Sequence, residues 1–102
     1  GNSDEKSICS LYGNYGLEHS EYSIWNVNGI GNFQRQESPF SKNGKGLGIF
    51  DSNGDFKGHL HIDNSETNEF SKLLNYAWLD AKQSHSRTKQ NFCKLMRQKF
   101  GY

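Results

Sequence analysis

The chain has few residues of several types that mark well-known protein classes. Its 102 residues include two cysteines, one proline and one methionine. No apolar run approaches the roughly 18 residues that a transmembrane helix needs, which predicts the absence of a membrane span. Nor does it contain a local catalytic signature such as G-x-S-x-G. The sequence therefore offers no signature motif, and its function must be inferred from general features.

The two cysteines, Cys9 and Cys93, lie near opposite ends of the sequence. A chain of this length buries only about two-thirds of its unfolded surface, so a covalent link would stabilise it substantially. We predict a Cys9–Cys93 disulfide and, from it, an oxidising periplasmic or secreted location. The alternative is a pair of buried thiols in a cytosolic protein.

The composition is rich in glycine and aromatic residues, which favours a turn-rich domain with both strands and helices. We expect residues 1–6 to lie outside the fold, as a disordered N-terminus or a remnant of cloning. Residues 7–102 are predicted to form a single α+β domain. Its expected architecture is an antiparallel β-meander of four to five strands, followed by two C-terminal helices packed on one face and one disulfide.

Strands are predicted first at 7–12 and 21–28, with a return strand at 30–36 after the hairpin signal Asn28-Gly29. The clearest strand pair flanks Asn53-Gly54. In its second strand, alternation predicts one packed face and one solvated face. The packed residues would be Phe56, Gly58, Leu60 and Ile62, and the solvated ones Lys57, His59, His61 and Asp63.

Helices are predicted after residue 63. Asn64 and Ser65 are candidate N-caps, and apolar residues at helical spacing form one stripe, comprising Phe70, Leu73, Leu74, Ala77, Trp78 and Ala81. Ser86 is the predicted cap of a second helix. Its inner face would carry Phe92, Cys93, Met96 and Phe100, and Gly101 would end it.

Two patterns raise the possibility of metal binding or catalysis. His59 and His61 lie two apart on one predicted strand face, the spacing of a candidate metal pair, but a solvated face explains them better, and we predict neither metal nor cofactor. Glu18 and His19 form an acid–base-rich segment suited to a small hydrolase or nuclease. Neither pattern is diagnostic, so we predict no catalytic residues.

Arg87, Lys94 and Arg97 share one face of the last predicted helix. We interpret them as a solvated face and expect no nucleic-acid partner, because the formal net charge of the chain is only +1.

The favoured hypothesis is a non-enzymatic exported protein that binds another protein, such as an inhibitor or an immunity protein neutralising a secreted toxin or effector enzyme. The predicted contact residues are aromatic or charged and lie in predicted turns and loops: Tyr15, Glu18, Glu21, Phe40, Lys42 and Lys45. Two alternatives remain: a small secreted enzyme using His19/Glu18 or His59/His61, and a ligand-binding lipoprotein domain. A homodimer through an exposed strand edge is a further hypothesis.

Overall fold

The computed structural model describes residues 8–9, 15–63 and 68–101. In these ranges the order of elements is β1 (Leu47–Phe50), β2 (Phe56–Leu60), α1 (Glu69–Asp80) and α2 (His85–Phe100). The α+β class with two helices is confirmed, whereas the described residues form a two-stranded sheet in place of the four to five strands predicted. No helix in these ranges combines the length and apolar character needed to cross a bilayer.

The β1–β2 hairpin confirms the strongest strand prediction. The strands pair antiparallel, with Leu47 opposite Leu60, and the connecting turn is held by the Asp51 carboxylate, which accepts the amides of Asn53 and Asp55. Gly54 has φ of 83°, which glycine adopts easily.

The predicted alternation of faces along β2 is wrong, because this strand contains a bulge. The register advances by two residues in β1 and three in β2 between the last two pairs, and Gly58 has φ of 114°. The extra residue brings the rings of Phe56 and His59 to one side, with 5.0 Å between their centroids. Phe56 is consequently exposed, and His61, beyond the end of the strand, is buried.

The strands predicted at 21–28 and 30–36 are wrong. Residues 17–41 instead form what we call the turn ribbon, a series of turns placed end to end. The carbonyl of every third residue from Leu17 to Ser38 accepts the amide of the residue three positions later. The amides in this series therefore bond locally and do not pair with a neighbouring strand.

Serine and asparagine side chains explain why this segment turns. At Ser20, Ser23, Asn26, Asn32 and Ser38, the side-chain oxygen accepts the amide of the residue two positions later. Such local bonds compete with strand pairing and stabilise turns. Repeated at intervals of three or six, they override the apolar alternation that suggested strands.

The ribbon folds back on itself at Gly31. A β-carbon at this position would lie 2.2 Å from the carbonyl oxygen of Ile24, closer than any side chain can approach. Glycine is therefore required here for close backbone contact, and not for its access to positive φ.

Neither helix is capped by a predicted residue. Asn68 caps α1 by accepting the amide of Ser71, while the predicted caps Asn64 and Ser65 lie outside the described residues. Ser84, not Ser86, caps α2 through the amide of Arg87. The predicted end at Gly101 is confirmed by its left-handed conformation.

The predicted apolar stripes form the interface of the two helices with the rest of the domain. Leu74 and Ala77 of α1 and Phe92 of α2 are fully buried. Phe100 departs from the prediction, because its exposed ring leaves the core and lies against Phe70 at the edge of the helix pair.

The predicted Cys9–Cys93 disulfide is confirmed and joins residues 84 apart in sequence. It ties the N-terminal segment to the middle of α2. Ile8 and Cys9 lie in a turn, and the other residues of the predicted first strand, 7 and 10–12, fall outside the described ranges. The carbonyl of Ile8 also accepts the indole N–H of Trp25 at 2.6 Å, a second attachment for this segment.

Removing the disulfide should destabilise the protein. For the double variant Cys9→Ala/Cys93→Ala we expect the free energy of unfolding to fall by about 4 kcal/mol, because the unfolded chain gains the entropy of an opened loop. Urea titration of the oxidised protein and the variant measures this difference. Reductant should shift the midpoint of the wild type and not that of the variant, and coincident midpoints of oxidised and reduced wild type would contradict the prediction.

Candidate partner-binding groove

A column of aromatic rings connects the core to the surface. The ring centroids of Phe92 and Trp25 are 6.1 Å apart, those of Trp25 and Phe40 6.0 Å, and those of Phe40 and Trp78 4.6 Å. His85 completes the column, with its ring 4.3 Å from that of Phe40. The column holds the turn ribbon, which supplies Trp25 and Phe40, against both helices.

Phe40 is therefore a core residue. Only 1% of it is exposed, and its ring is enclosed by those of Trp25, Trp78 and His85. The sequence predicts Phe40 as a partner contact, and in the structure its ring reaches the surface only as the floor of a cleft.

The cleft above this floor, which we call the apolar cleft, has a volume of about 450 Å³. Phe40, Trp78 and His85 line its interior, and Val27 and Phe33, both half-exposed, line it from the ribbon. Polar groups come from Asn32, Lys42 and Gln83. A concave apolar site with a few polar groups is the usual form of a binding pocket.

A second concavity of about 470 Å³, the polar cleft, adjoins the first. Val27, Gln83 and His85 line both clefts. The far side of the polar cleft carries Glu18 and His19, while the hydroxyl residues Ser84 and Ser86 lie at the start of α2. Because they share these residues, we call the two clefts together the groove, with an apolar half and a polar half, and we call Gln83 and His85, at the boundary of the halves, the ridge.

The ridge itself is constrained. Lys82 and Gln83 both have positive φ, 52° and 64°, in the tight connection between α1 and α2. Non-glycine residues adopt this conformation at an energetic cost, and consecutive examples are unusual. The connection is held by hydrogen bonds from the amides of Lys82 and Gln83 to carbonyls of α1, which fixes Gln83 at the boundary of the clefts.

His85 lies half-buried on this ridge. Its Nε2 donates to the carbonyl of Gly31 at 2.7 Å, joining α2 to the ribbon. Burial lowers the pKa of His85, and the hydrogen bond to the Gly31 carbonyl opposes that shift only in part. The imidazole is therefore biased towards its neutral form at pH 7.

The structure brings only two of the remaining predicted contact residues, Glu18 and Lys42, into the groove. The ring of Tyr15 lies 6.3 Å from that of Tyr22, and the Glu21 carboxylate, through a side-chain hydrogen bond, raises the pKa of Tyr22. Glu18 lines the polar cleft, and Lys42 lines the apolar cleft. Lys45 is exposed and lines neither cleft.

Sequence reasoning missed Val27, Phe33, Gln83 and His85, which lie between Glu18 and Lys42 in the groove. Two of these positions depend on the turn ribbon, which brings Val27 and Phe33 to the surface. The recurrence of serine or asparagine at intervals of three was the sequence signal for this ribbon. No local signal marked Gln83 or His85, because their roles arise from contact with a distant segment.

The side chains of Ser41 and His61 are in contact, with 3.0 Å between Oγ and Nε2. His61 is 4% exposed. Its Nδ1 accepts the amide of Asp63, so Nε2 carries the proton and donates to the carbonyl of Ser41 at 2.7 Å. A nitrogen that already holds a proton cannot accept one from a serine, so this pair stabilises the fold and does not form a nucleophile–base dyad.

The two histidines considered for metal binding diverge in the structure. His59 lies against Phe56 at the surface, whereas both ring nitrogens of His61 are engaged in the interior. Across the described residues, no three histidine, cysteine, aspartate or glutamate side chains are grouped to hold an ion. The bulge at Gly58 removes the alternation on which the metal hypothesis depended.

Comparisons with family models, with curated proteins and with solved structures found no match to this chain.

Truncating Phe40 distinguishes a core role from a contact role. For Phe40→Ala we expect a loss of about 3–5 kcal/mol in the free energy of unfolding, because a cavity opens beneath three rings. Lys45→Ala, a surface control from the same predicted contact set, should change it by less than about 0.5 kcal/mol. Urea denaturation measures both, and unchanged stability of Phe40→Ala would contradict the core assignment.

His85 should make stability depend on pH. Because burial lowers its pKa in the folded state, the unfolded state binds more protons as pH falls from the ordinary histidine value of about 6.5. Its contribution is complete above that value and is lost as pH falls through the folded pKa.

The test compares the free energy of unfolding of wild type and His85→Gln between pH 8 and 5. The wild type should lose more stability on acidification than the variant. His19→Gln, which removes an exposed histidine, serves as the control. Parallel pH profiles for wild type and His85→Gln would refute the assignment.

Proposed function

We propose that this chain is an exported, non-enzymatic protein-binding module, most simply an inhibitor or immunity protein that neutralises a secreted toxin or effector enzyme. Its contact surface is the groove together with the adjoining face of the turn ribbon. The disulfide is compatible with an oxidising location outside the cytoplasm.

The observation that carries the proposal is the display of large apolar side chains on a fixed backbone. Tyr22, Val27 and Phe33 are 52%, 50% and 50% exposed, yet the ribbon that bears them is hydrogen-bonded at every third residue. Apolar groups held at a surface favour association with a partner. Because the backbone is already ordered, binding would cost little conformational entropy.

Charge along the groove adds specificity to this apolar surface. Lys42 lies at the apolar half and Glu18 at the polar half, so the two ends carry opposite charges. Complementary charges on a partner would set its orientation and speed association. These features suit a protein surface, which presents apolar and charged groups together.

The polar cleft supports a second candidate function, that of a small secreted hydrolase. Glu18 and His19 lie there with two serine residues, which provides acid–base groups in a concave site. Ser84 already accepts the amide of Arg87 as a helix cap, which ties its oxygen to a structural role. The proposal of a binding protein rests on more of the groove and is preferred.

A matched pair of aromatic substitutions tests the binding function. Phe33→Asp places a charge in the groove, and Phe50→Asp makes the same change at a residue 62% exposed on the hairpin, outside both clefts. With oxidised protein immobilised, we expect capture of a partner from secreted or periplasmic extract of the source organism. Phe33→Asp should weaken capture at least tenfold, and Phe50→Asp should not.

The captured partner should also lose its own activity when titrated with one equivalent of the protein. Equal effects of the two substitutions would reject the groove as the contact surface. Absence of any partner, together with turnover of a cell-wall, lipid or nucleic-acid substrate by the isolated protein, would reject the function itself in favour of the hydrolase.

A further inference from the structure

We infer that the apolar cleft receives an aromatic side chain of the partner, flanked in the partner sequence by an acidic residue whose carboxylate pairs with Lys42. This inference rests on the proposed function and specifies the chemistry that the partner presents to the groove.

The aromatic requirement follows from the rings that form the cleft. Phe40, Trp78 and His85 provide its interior, with Phe33 at the side. The cleft volume of about 450 Å³ is ample for a large planar side chain and lies in the range typical of ligand pockets. Ring pairs gain stabilisation from offset or edge contacts beyond the area they bury, which favours an aromatic over an aliphatic occupant.

The acidic requirement follows from Lys42, which makes no ion pair within the described ranges, although Asp63 lines a neighbouring cavity with it. Lys42 is exposed, lines the cleft and places its Nζ 5.6 Å from the centre of the Phe33 ring, a distance at which cation and ring attract. The ion pairs found in the described ranges do not include Lys42, and none of the described residues lining this cleft is acidic. A carboxylate seated beside the rings would therefore gain a charge-assisted bond.

Glu18, in the polar half of the groove, does not require a basic group on the partner. Glu18 lies near Lys89, whose Nζ donates to the carbonyl of Gly16 at 2.6 Å, and the Glu18 carboxylate raises the pKa of Lys89 against the effect of burial. The negative charge there already has a cationic neighbour within the protein. Lys42 is thus the charged residue of the groove that we expect to pair with the partner.

Short peptides provide the test. The probes are three capped tetrapeptides, Ac-Gly-Trp-Asp-Gly-NH2, Ac-Gly-Trp-Lys-Gly-NH2 and Ac-Gly-Ala-Asp-Gly-NH2, titrated into the oxidised 102-residue protein while amide chemical shifts are followed. We expect the Trp-Asp peptide to bind at least fivefold more tightly than the other two. Its shifts should centre on Gly31, Asn32, Gln83 and His85.

Lys42→Glu should reverse the preference towards the Trp-Lys peptide. Lys45→Glu makes the same charge change at an exposed residue outside both clefts and should leave the preference intact. Equal affinity for the three peptides, shifts centred elsewhere, or an unchanged preference in Lys42→Glu would each overturn the inference.

Partner capture separates this inference from the proposed function. If Phe33→Asp abolishes capture while the peptides show no preference, the binding surface stands and the aromatic–acidic chemistry is wrong. If the peptides bind as expected and capture is insensitive to Phe33→Asp, the cleft prefers an aromatic–acidic peptide but is not the partner contact, and the inference about the partner is overturned.

Discussion

The fold depends on the burial of Trp25. Its indole lies between Phe92 of α2 and Phe40 of the turn ribbon, and its N–H donates to the carbonyl of Ile8 beside the disulfide. One side chain therefore connects the ribbon, the second helix and the N-terminal segment. The described sheet has only two strands, so these contacts of Trp25 link segments that a larger sheet would otherwise hold together.

The ribbon and the ring column together explain how the groove forms. Local hydrogen bonds from serine and asparagine order the ribbon, and Trp25 and Phe40 fasten it to the helices. Between these anchors the ribbon turns some residues inwards, because Ile30 packs against the core and Ser38 and Pro39 are buried. Val27 and Phe33 remain half-exposed at the surface, where they line the apolar cleft opposite the connection between α1 and α2.

In the part of the chain that the structure describes, buried side-chain nitrogen and oxygen atoms all have hydrogen-bond partners, and several of these bonds stabilise the junctions between elements. Ser71 accepts the amide of His61 and donates to the carbonyl of His59, which joins the start of α1 to the end of β2. His61 in turn reaches the carbonyl of Ser41 at the end of the ribbon. These contacts account for histidine and serine positions that a reader of the sequence would consider for catalysis or metal binding.

The sequence by itself determined the two helices, the hairpin around Asn53-Gly54 and the cysteine pairing. The helices and the hairpin follow from local sequence patterns, and the pairing follows from the number of cysteines. Helical periodicity predicts a buried stripe, a turn dipeptide predicts a reversal, and two cysteines allow only one intramolecular bond. Tertiary structure decided how the ribbon folds back at Gly31, the burial of Phe40 and His61, and the groove. In the ribbon, alternating apolar residues favoured strands, but local side-chain bonds and the close approach at Gly31 prevailed. The groove joins residues from opposite parts of the chain, such as Val27 and His85, so only the packing of distant segments could reveal it.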